Sequence, residues 1–152
     1  FNNDATYLYQ TDDENYNLGQ TSFECGRRNN ALKFWTLWKA IGTNGIGEIV
    51  EHEFQLADTA RNYVKENEDY TLYSFDDSLS ICFNYKDFDP VDLCTKLYQH
   101  NKLMIGFGYF LKQGFVRLVT INGENTNENI LNFFTVLEEF TAKYHETIKR
   151  IA

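Results

Sequence analysis

The spacing of apolar residues changes from three or four positions to two after Asn67, and this change limits the folds open to the chain. From Ile46 to Val64, apolar residues recur three or four positions apart with charged residues between them, which predicts an amphipathic helix. The segments YTLYSF (70–75) and LSICFNY (79–85) then alternate with period two, and polar residues separate them. They predict an antiparallel hairpin.

Three further segments carry helix signals. ALKFWTLWKAIG is apolar nearly all round, which predicts a buried helix ending at Gly42. Asp89 followed by Pro90 predicts an N-cap with proline at the first helical position. Asn125 with Glu128 resembles a capping box and predicts the start of a terminal helix. The apolar residues expected to line that helix are Ile130, Phe134, Leu137, Tyr144 and Ile148.

A second pair of strands completes the pattern. LMIGFGYFLK (103–112) and GFVRLVTIN (114–122) predict a hairpin that turns around Gln113 and Gly114. The order is therefore helix, helix, strand, strand, helix, strand, strand, helix, after a polar arm. This order predicts an α+β fold in which helices cover a largely antiparallel sheet.

Charge and composition argue against several classes of function. The chain has 152 residues and a formal net charge of -8, without a block of Lys or Arg, which argues against nucleic acid or an anionic membrane as partner. No apolar run approaches the roughly 20 residues that span a bilayer, so we expect a soluble, cytoplasmic protein. The cysteines and histidines are scattered, which predicts neither a disulfide framework nor a metal site. These residues are Cys25, Cys82, Cys94, His52, His100 and His145.

The first residues suggest a piece of a larger protein. The chain begins at Phe1 and its only methionine is Met104, so we expect a fragment of a longer translation product. Residues 1–24 form a polar arm without a sustained period, which is long for a self-contained domain. We therefore expect the arm to belong to a neighbouring domain or subunit.

Arg117 is the first candidate for a functional residue. In GFVRLVTIN, both faces of the predicted strand are apolar, so Arg117 is expected among hydrophobic residues. A buried unpaired charge costs several kcal/mol, so the guanidinium needs an anionic partner. That partner is either a structural Asp or Glu or the carboxylate of a substrate.

The polar arm and its end offer further candidates. Tyr7 and Tyr9 lie among Asn, Asp and Thr. Either both are apolar anchors that hold the terminus against the fold, or one of them is a functional phenol. Arg27 and Arg28 either pair with surface acids or bind an acidic substrate or a phosphate. Glycine-rich phosphate loops are not found in the sequence.

Several motifs together resemble one enzyme family. ATYLYQ, FECGRRNNALKFWTLWKAIGTNGI, LSICFNY and GFVRLV are similar, in order and spacing, to the carboxy-terminal part of the group II pyridoxal phosphate-dependent amino acid decarboxylases. The resemblance is strongest to the branch that holds glutamate and cysteine sulfinate decarboxylases. It implies the small carboxy-terminal domain of a fold-type I enzyme, preceded by an extended arm from the large domain.

The resemblance implies roles for two residues. Tyr7 corresponds to the family's tyrosine on a mobile loop, which closes over the active site across the dimer interface and protonates the substrate α-carbon after carbon dioxide leaves. Arg117 corresponds to the arginine that holds the substrate α-carboxylate. Gly26 and Arg27 correspond to a Gly-Arg pair at the edge of the active site or the dimer interface, and Gln10 fits the branch that acts on acidic substrates.

The resemblance also implies a division of the chain and a cofactor. Residues 1–26 correspond to the catalytic-loop arm and the end of the large cofactor domain, and residues 27–152 to the small domain. The lysine that binds pyridoxal 5'-phosphate as a Schiff base is expected upstream, so no cofactor-binding residue is expected in this chain, and the fragment alone is expected to be inactive. The implied partners are the cofactor-domain polypeptide and a second copy in a homodimer.

Two alternatives to decarboxylation of glutamate, aspartate or cysteine sulfinate remain at this point. The first keeps the chemistry with an aromatic amino acid as substrate. The second is a non-catalytic interaction or regulatory module that retains the α+β layer.

Overall fold

A computed structural model describes residues 29–151. The chain divides into two units, Phe1–Thr43 and Asn44–Ala152. The predicted boundary between residues 26 and 27 lies outside the described residues.

The first helix, α1, runs from Asn30 to Glu66 and is interrupted at Gly42. Gly42 has φ 71° and ψ -179°, a conformation outside the helical region that glycine adopts without steric cost. The sequence predicted two helices with the first ending at Gly42, and the interruption confirms this. The far end of α1 lies one residue before the predicted Asn67.

The predicted burial of the first segment of α1 is wrong for the described residues. Its large apolar side chains are between 39% and 55% exposed. They are Leu32, Phe34, Trp35, Leu37, Trp38 and Ile41. Within a single helix, a side chain can contact only those three or four positions away. Phe34 and Trp38 form such a pair, edge to face, with ring centroids 5.6 Å apart.

The second unit contains one antiparallel sheet of four strands in the order β1-β2-β4-β3. The strands are β1 Tyr70–Leu72, β2 Ser80–Tyr85, β3 Gly106–Phe110 and β4 Gln113–Val119. The first hairpin pairs Tyr70 with Tyr85, and the second pairs Phe110 with Gln113. Both hairpins confirm the prediction, although β1 and β3 are shorter than their sequence patterns.

The turn of the second hairpin was predicted at the wrong residues. Leu111 and Lys112 form it, with φ 46° and 70°, the positive values that a two-residue hairpin turn requires. Gly114 instead lies within β4, where an added Cβ would come within 3.0 Å of Pro90 Cγ and 3.2 Å of a Tyr109 ring carbon. Packing, not the turn, explains the glycine at this position.

Helix α2 spans Pro90–Gln99 and α3 spans Asn127–Tyr144. The Asp89 side chain accepts a hydrogen bond from the backbone N–H of Asp92, which confirms the predicted N-cap. The capping box of α3 was predicted one residue too early. Thr126 and Asn129 form it, each side chain accepting from the other's backbone N–H.

The core lies between one side of the sheet and the second half of α1, α2 and α3. Its largest fully buried side chains include Phe83, Phe134, Leu56, Ile81, Leu93 and Leu97. Phe134 of α3 stacks on Tyr63 of α1 with ring centroids 4.3 Å apart. Apolar contacts of this kind supply most of the stabilisation of a domain of this size.

Glu138 of α3 adds a polar connection at the edge of this core. Its Oε1 atom accepts hydrogen bonds from Tyr63 Oη at 2.8 Å and from Tyr70 Oη at 2.9 Å. Burial, together with the bond to this carboxylate, raises the pKa of Tyr63 to about 12 and raises that of Tyr70 as well. One carboxylate thus joins α1, β1 and α3.

We expect a Glu138→Leu substitution to lower the free energy of unfolding of the chain by roughly 1–3 kcal/mol, because it leaves the buried Tyr70 hydroxyl without an acceptor. Urea-induced unfolding measures the change. The matched control is Glu139→Leu, because Glu139 is the next residue of α3 and is exposed. Equal effects of the two substitutions would contradict the role given to Glu138.

Candidate functional site

The pleat of β4 divides its side chains between two sides of the sheet. Val116 is buried and faces the core, whereas Arg117 and Val119 are exposed. Cys82 on β2 and Gly106 on β3 are the cross-strand neighbours of Arg117, so they lie on the same side. We call this side, which faces away from the core, the open face.

Arg117 is exposed, which corrects the expectation that it lies buried among hydrophobic residues. The reason is that the apolar core lies against the side of the sheet that carries Val116, and Arg117 points to the other side. No carboxylate of residues 29–151 lies within 4.0 Å of the Arg117 guanidinium. A structural Asp or Glu as its partner is therefore absent from the described part of the chain.

The other described arginines show what a structural arginine looks like in this fold. Arg61 is buried; it forms an ion pair with Asp58 and donates to the Ser78 carbonyl oxygen at 2.8 Å. Arg150 forms an ion pair with Asp87. Sequence reasoning missed Arg61, because the helical period alone does not show which polar residue of α1 faces the sheet.

A pocket of about 240 Å³ opens next to Arg117, where β3 begins. Arg117 is its only charged lining residue, so the pocket combines an apolar wall with one cation. The lining residues are Leu103, Met104, Ile105, Gly106, Arg117, Leu118, Val119 and Phe133. This composition suits a small anionic group bound at Arg117.

A larger pocket of about 510 Å³ lies at the carboxy-terminal end of α1. Its lining includes three carboxylates and no cation, so it repels an anionic ligand. The lining residues are Tyr63, Glu66, Asn67, Glu68 and Asp69. Arg117 therefore marks the better candidate site in the described part of the chain.

The thiol of Cys82 lies beside Arg117 on the open face. Burial raises the pKa of the Cys82 thiol, and the positive charge of Arg117 offsets part of that increase. Asn84 lies two residues further along β2 and is buried; its Nδ2 donates to the Gly114 carbonyl oxygen at 3.1 Å, whereas its Oδ1 has no partner among the described residues. Sequence reasoning did not associate Cys82 or Asn84 with Arg117, because strand register is a long-range property.

The remaining predicted site residues, Tyr7, Gln10, Gly26 and Arg27, lie outside the described residues. The structure therefore does not bring them together with Arg117 or separate them from it. Among residues 29–151, no group of three His, Cys, Asp or Glu side chains could hold a metal ion. No helix in that range is long and apolar enough to cross a membrane.

Comparison with known proteins gives a consistent family. Residues 1–86 match the model of the pyridoxal-dependent decarboxylase conserved domain. The chain is 39% identical over 84 residues to an acidic amino acid decarboxylase of Mus musculus, covering 53% of this chain and 15% of that protein. It is 33% identical over 82 residues to the cysteine sulfinic acid decarboxylase of Homo sapiens, covering 52% and 17%.

The fold agrees with solved structures of this family. The crystal structure of mouse CSAD in its apo form superposes with a TM-score of 0.67 at 23% sequence identity, covering 80% of this chain and 30% of that chain. This likeness, together with the four-stranded antiparallel sheet and its helices, confirms the predicted α+β fold. The chain spans less than a third of the proteins that it matches.

The described residues do not themselves fit pyridoxal phosphate, which needs a lysine in an enclosed site. Lys96 is the one lysine of residues 29–151 that is not exposed. Its Nζ is already held by Asp92 Oδ2 at 2.6 Å and by the Thr147 carbonyl oxygen. The one lysine of this range that is not exposed is therefore occupied by protein contacts.

We expect Arg117→Gln to slow alkylation of Cys82 by iodoacetamide at a fixed, mildly alkaline pH. The substitution removes the positive charge that lowers the Cys82 pKa, so the thiolate fraction falls. Peptide-level mass spectrometry measures the rate for each cysteine.

Arg150→Gln is the matched control, because it removes the same charge from a different surface. Cys94 is an internal reference; burial, with Asp89 nearby, raises its pKa to about 12, so it reacts slowly in every variant. An unchanged Cys82 rate in Arg117→Gln would contradict the placement of Arg117 beside Cys82.

Proposed function

Because this chain belongs to the pyridoxal-dependent decarboxylase family, we propose that it is the carboxy-terminal part of an enzyme that removes the α-carboxylate of an acidic amino acid. The substrate is glutamate, aspartate or cysteine sulfinate, and the products are the amine and carbon dioxide. Similarity to an acidic amino acid decarboxylase and to a cysteine sulfinic acid decarboxylase supports this substrate class.

The exposed side chain of Arg117 is the main structural support for this function. Its guanidinium is exposed on the open face, and no carboxylate of the described residues pairs with it, unlike Arg61 and Arg150. The planar fork of a guanidinium matches the two oxygens of a carboxylate, which gives both affinity and orientation. We assign the α-carboxylate of the substrate to Arg117.

The rest of the enzyme supplies the cofactor in this proposal. Residues 1–26 form the catalytic-loop arm and the end of the large domain, and residues 27–152 form the small domain. Pyridoxal phosphate is held by the large domain, so the 152-residue chain alone releases no carbon dioxide. The complete enzyme is a cytoplasmic homodimer.

Tyr7 donates a proton to the substrate α-carbon in this proposal. A phenol on a loop that closes after the substrate binds can deliver the proton while excluding water. Gln10, Gly26 and Arg27 lie at the edge of the same active site or at the dimer interface.

We expect Arg117→Lys in the complete, cofactor-loaded protein to raise the KM for the acidic amino acid about 10- to 100-fold. Lysine keeps the charge but loses the two-pronged contact, and a hydrogen bond to a charged group is worth roughly 1.5–3 kcal/mol. Carbon dioxide release from glutamate, aspartate, cysteine sulfinate and aromatic amino acids measures both the KM and the substrate class.

Arg150→Lys is the control for this substitution, because Arg150 pairs with a surface carboxylate. An unchanged KM in Arg117→Lys would contradict the assigned contact. Preferential turnover of aromatic amino acids would show that the substrate is an aromatic and not an acidic amino acid. A complete protein that binds no pyridoxal phosphate would make the chain a non-catalytic module.

We expect Tyr7→Phe in the complete protein to reduce amine formation by about 100-fold or more, because positioned acid catalysis typically contributes that much. Carbon dioxide and amine form one to one, so carbon dioxide release should fall with amine formation. Tyr9→Phe is the matched control on the same segment. Normal turnover in Tyr7→Phe would contradict the role.

A further inference from the structure

We propose that Gly106 is a positioning residue, which keeps one flank of the Arg117 guanidinium free for the α-carboxylate of the substrate. The inference rests on the proposed function and adds a residue that neither motif comparison nor spacing identified.

The first observation is the position of Gly106. It is the cross-strand neighbour of Arg117, and both residues face the open side of the sheet. A Cβ added to Gly106 would lie 4.0 Å from Arg117 Nε and 3.6 Å from the Arg117 carbonyl oxygen. Atoms beyond Cβ would therefore extend alongside the guanidinium, into the space from which an anion approaches it.

The second observation is that packing explains Gly108 but not Gly106. A Cβ on Gly108 would lie 2.9 Å from a ring carbon of Phe115, so this glycine makes room for the Phe115 side chain. At Gly106 the nearest atoms are at ordinary contact distances, and its φ is not positive. Neither packing within the described chain nor backbone conformation requires glycine at position 106.

Glycine in a strand has a cost, because it adds conformational entropy to the unfolded chain and offers no side chain to pack. A strand glycine without a packing reason often marks a place where a ligand approaches the backbone closely. The opposite flank of Arg117 carries the short side chain of Cys82, which is half-buried. Small residues on both sides leave the guanidinium accessible from the open face.

The ligand class follows from this geometry. A guanidinium between two small neighbours can present two N–H groups to one planar anion. A bulkier residue at position 106 would weaken binding of the α-carboxylate. The product amine has lost the α-carboxylate and does not need Arg117. A bulkier residue at position 106 should therefore leave binding of the amine unchanged.

The test uses the complete, cofactor-loaded enzyme with Gly106→Ala and Gly106→Val. Alanine adds only a Cβ at contact distance, so we expect the KM for the acidic amino acid to rise about twofold. Valine should raise it at least tenfold, by displacing a charge-assisted hydrogen bond. The inhibition constant of the corresponding amine, γ-aminobutyrate or β-alanine, should change less than twofold in both variants.

Valine favours strands, so loss of strand structure does not account for the expected effect. The thermal midpoint without substrate checks this. If the valine variant does not fold, Gly106→Leu retains the test, because leucine is not branched at Cβ but extends beyond it, and it should also raise the KM at least tenfold. Gly123→Ala is the matched control, because its Cβ would only contact Ile49 Cγ2 at 3.7 Å, and it should leave the KM unchanged.

Two results would overturn the inference. One is an unchanged KM in Gly106→Val, and the other is a parallel loss of substrate and amine binding, which would indicate a structural effect. If Arg117→Lys raises the KM while Gly106→Val does not, only the role of Gly106 fails. If Arg117→Lys leaves the KM unchanged, the proposed carboxylate site itself fails.

Discussion

The alternation of side chains along β4 is the constraint on which the candidate site depends. Successive residues of a strand point to opposite sides, so burial of Val116 in the core places Arg117 on the open face. A slip of one residue would move the arginine into the core and Val116 out of it. The apolar contacts of the core therefore also fix the direction of the guanidinium.

Two arginines of the same unit show how this fold treats a positive charge. Arg61 is buried, and Asp58 and the Ser78 carbonyl oxygen stabilise it, because an unpaired buried charge would cost several kcal/mol. Arg117 has no carboxylate partner among the described residues and stays exposed. Within residues 29–151, Arg117 is therefore the arginine that contributes no ion pair to the fold.

Local patterns in the sequence predicted the order and type of every described element, because helical and strand periods are local properties. The Asp89 cap was also predicted. The turn at Leu111 and Lys112 was not predicted, because the sequence pattern indicated Gly114 as a turn residue. Close packing against Pro90 explains Gly114 instead. Burial could not be predicted for Arg117, since it depends on which side of the sheet the helices cover.

The candidate site was predictable only in part. The motif resemblance identified Arg117, but its neighbours Cys82 and Gly106 come from other strands, and their placement depends on register. A glycine that packing requires, such as Gly108, and one that packing does not require, such as Gly106, look the same in a sequence. Only the distances around Gly108 and Gly106 distinguish them.

The most direct test is a crystal structure of the complete, cofactor-loaded enzyme with a non-reactive acidic amino acid analogue. The account predicts that the α-carboxylate oxygens lie about 3 Å from the Arg117 guanidinium, the distance of charge-assisted hydrogen bonds, on the side of Gly106. An Arg117 that is paired with a protein carboxylate, with the substrate α-carboxylate bound elsewhere, would contradict it.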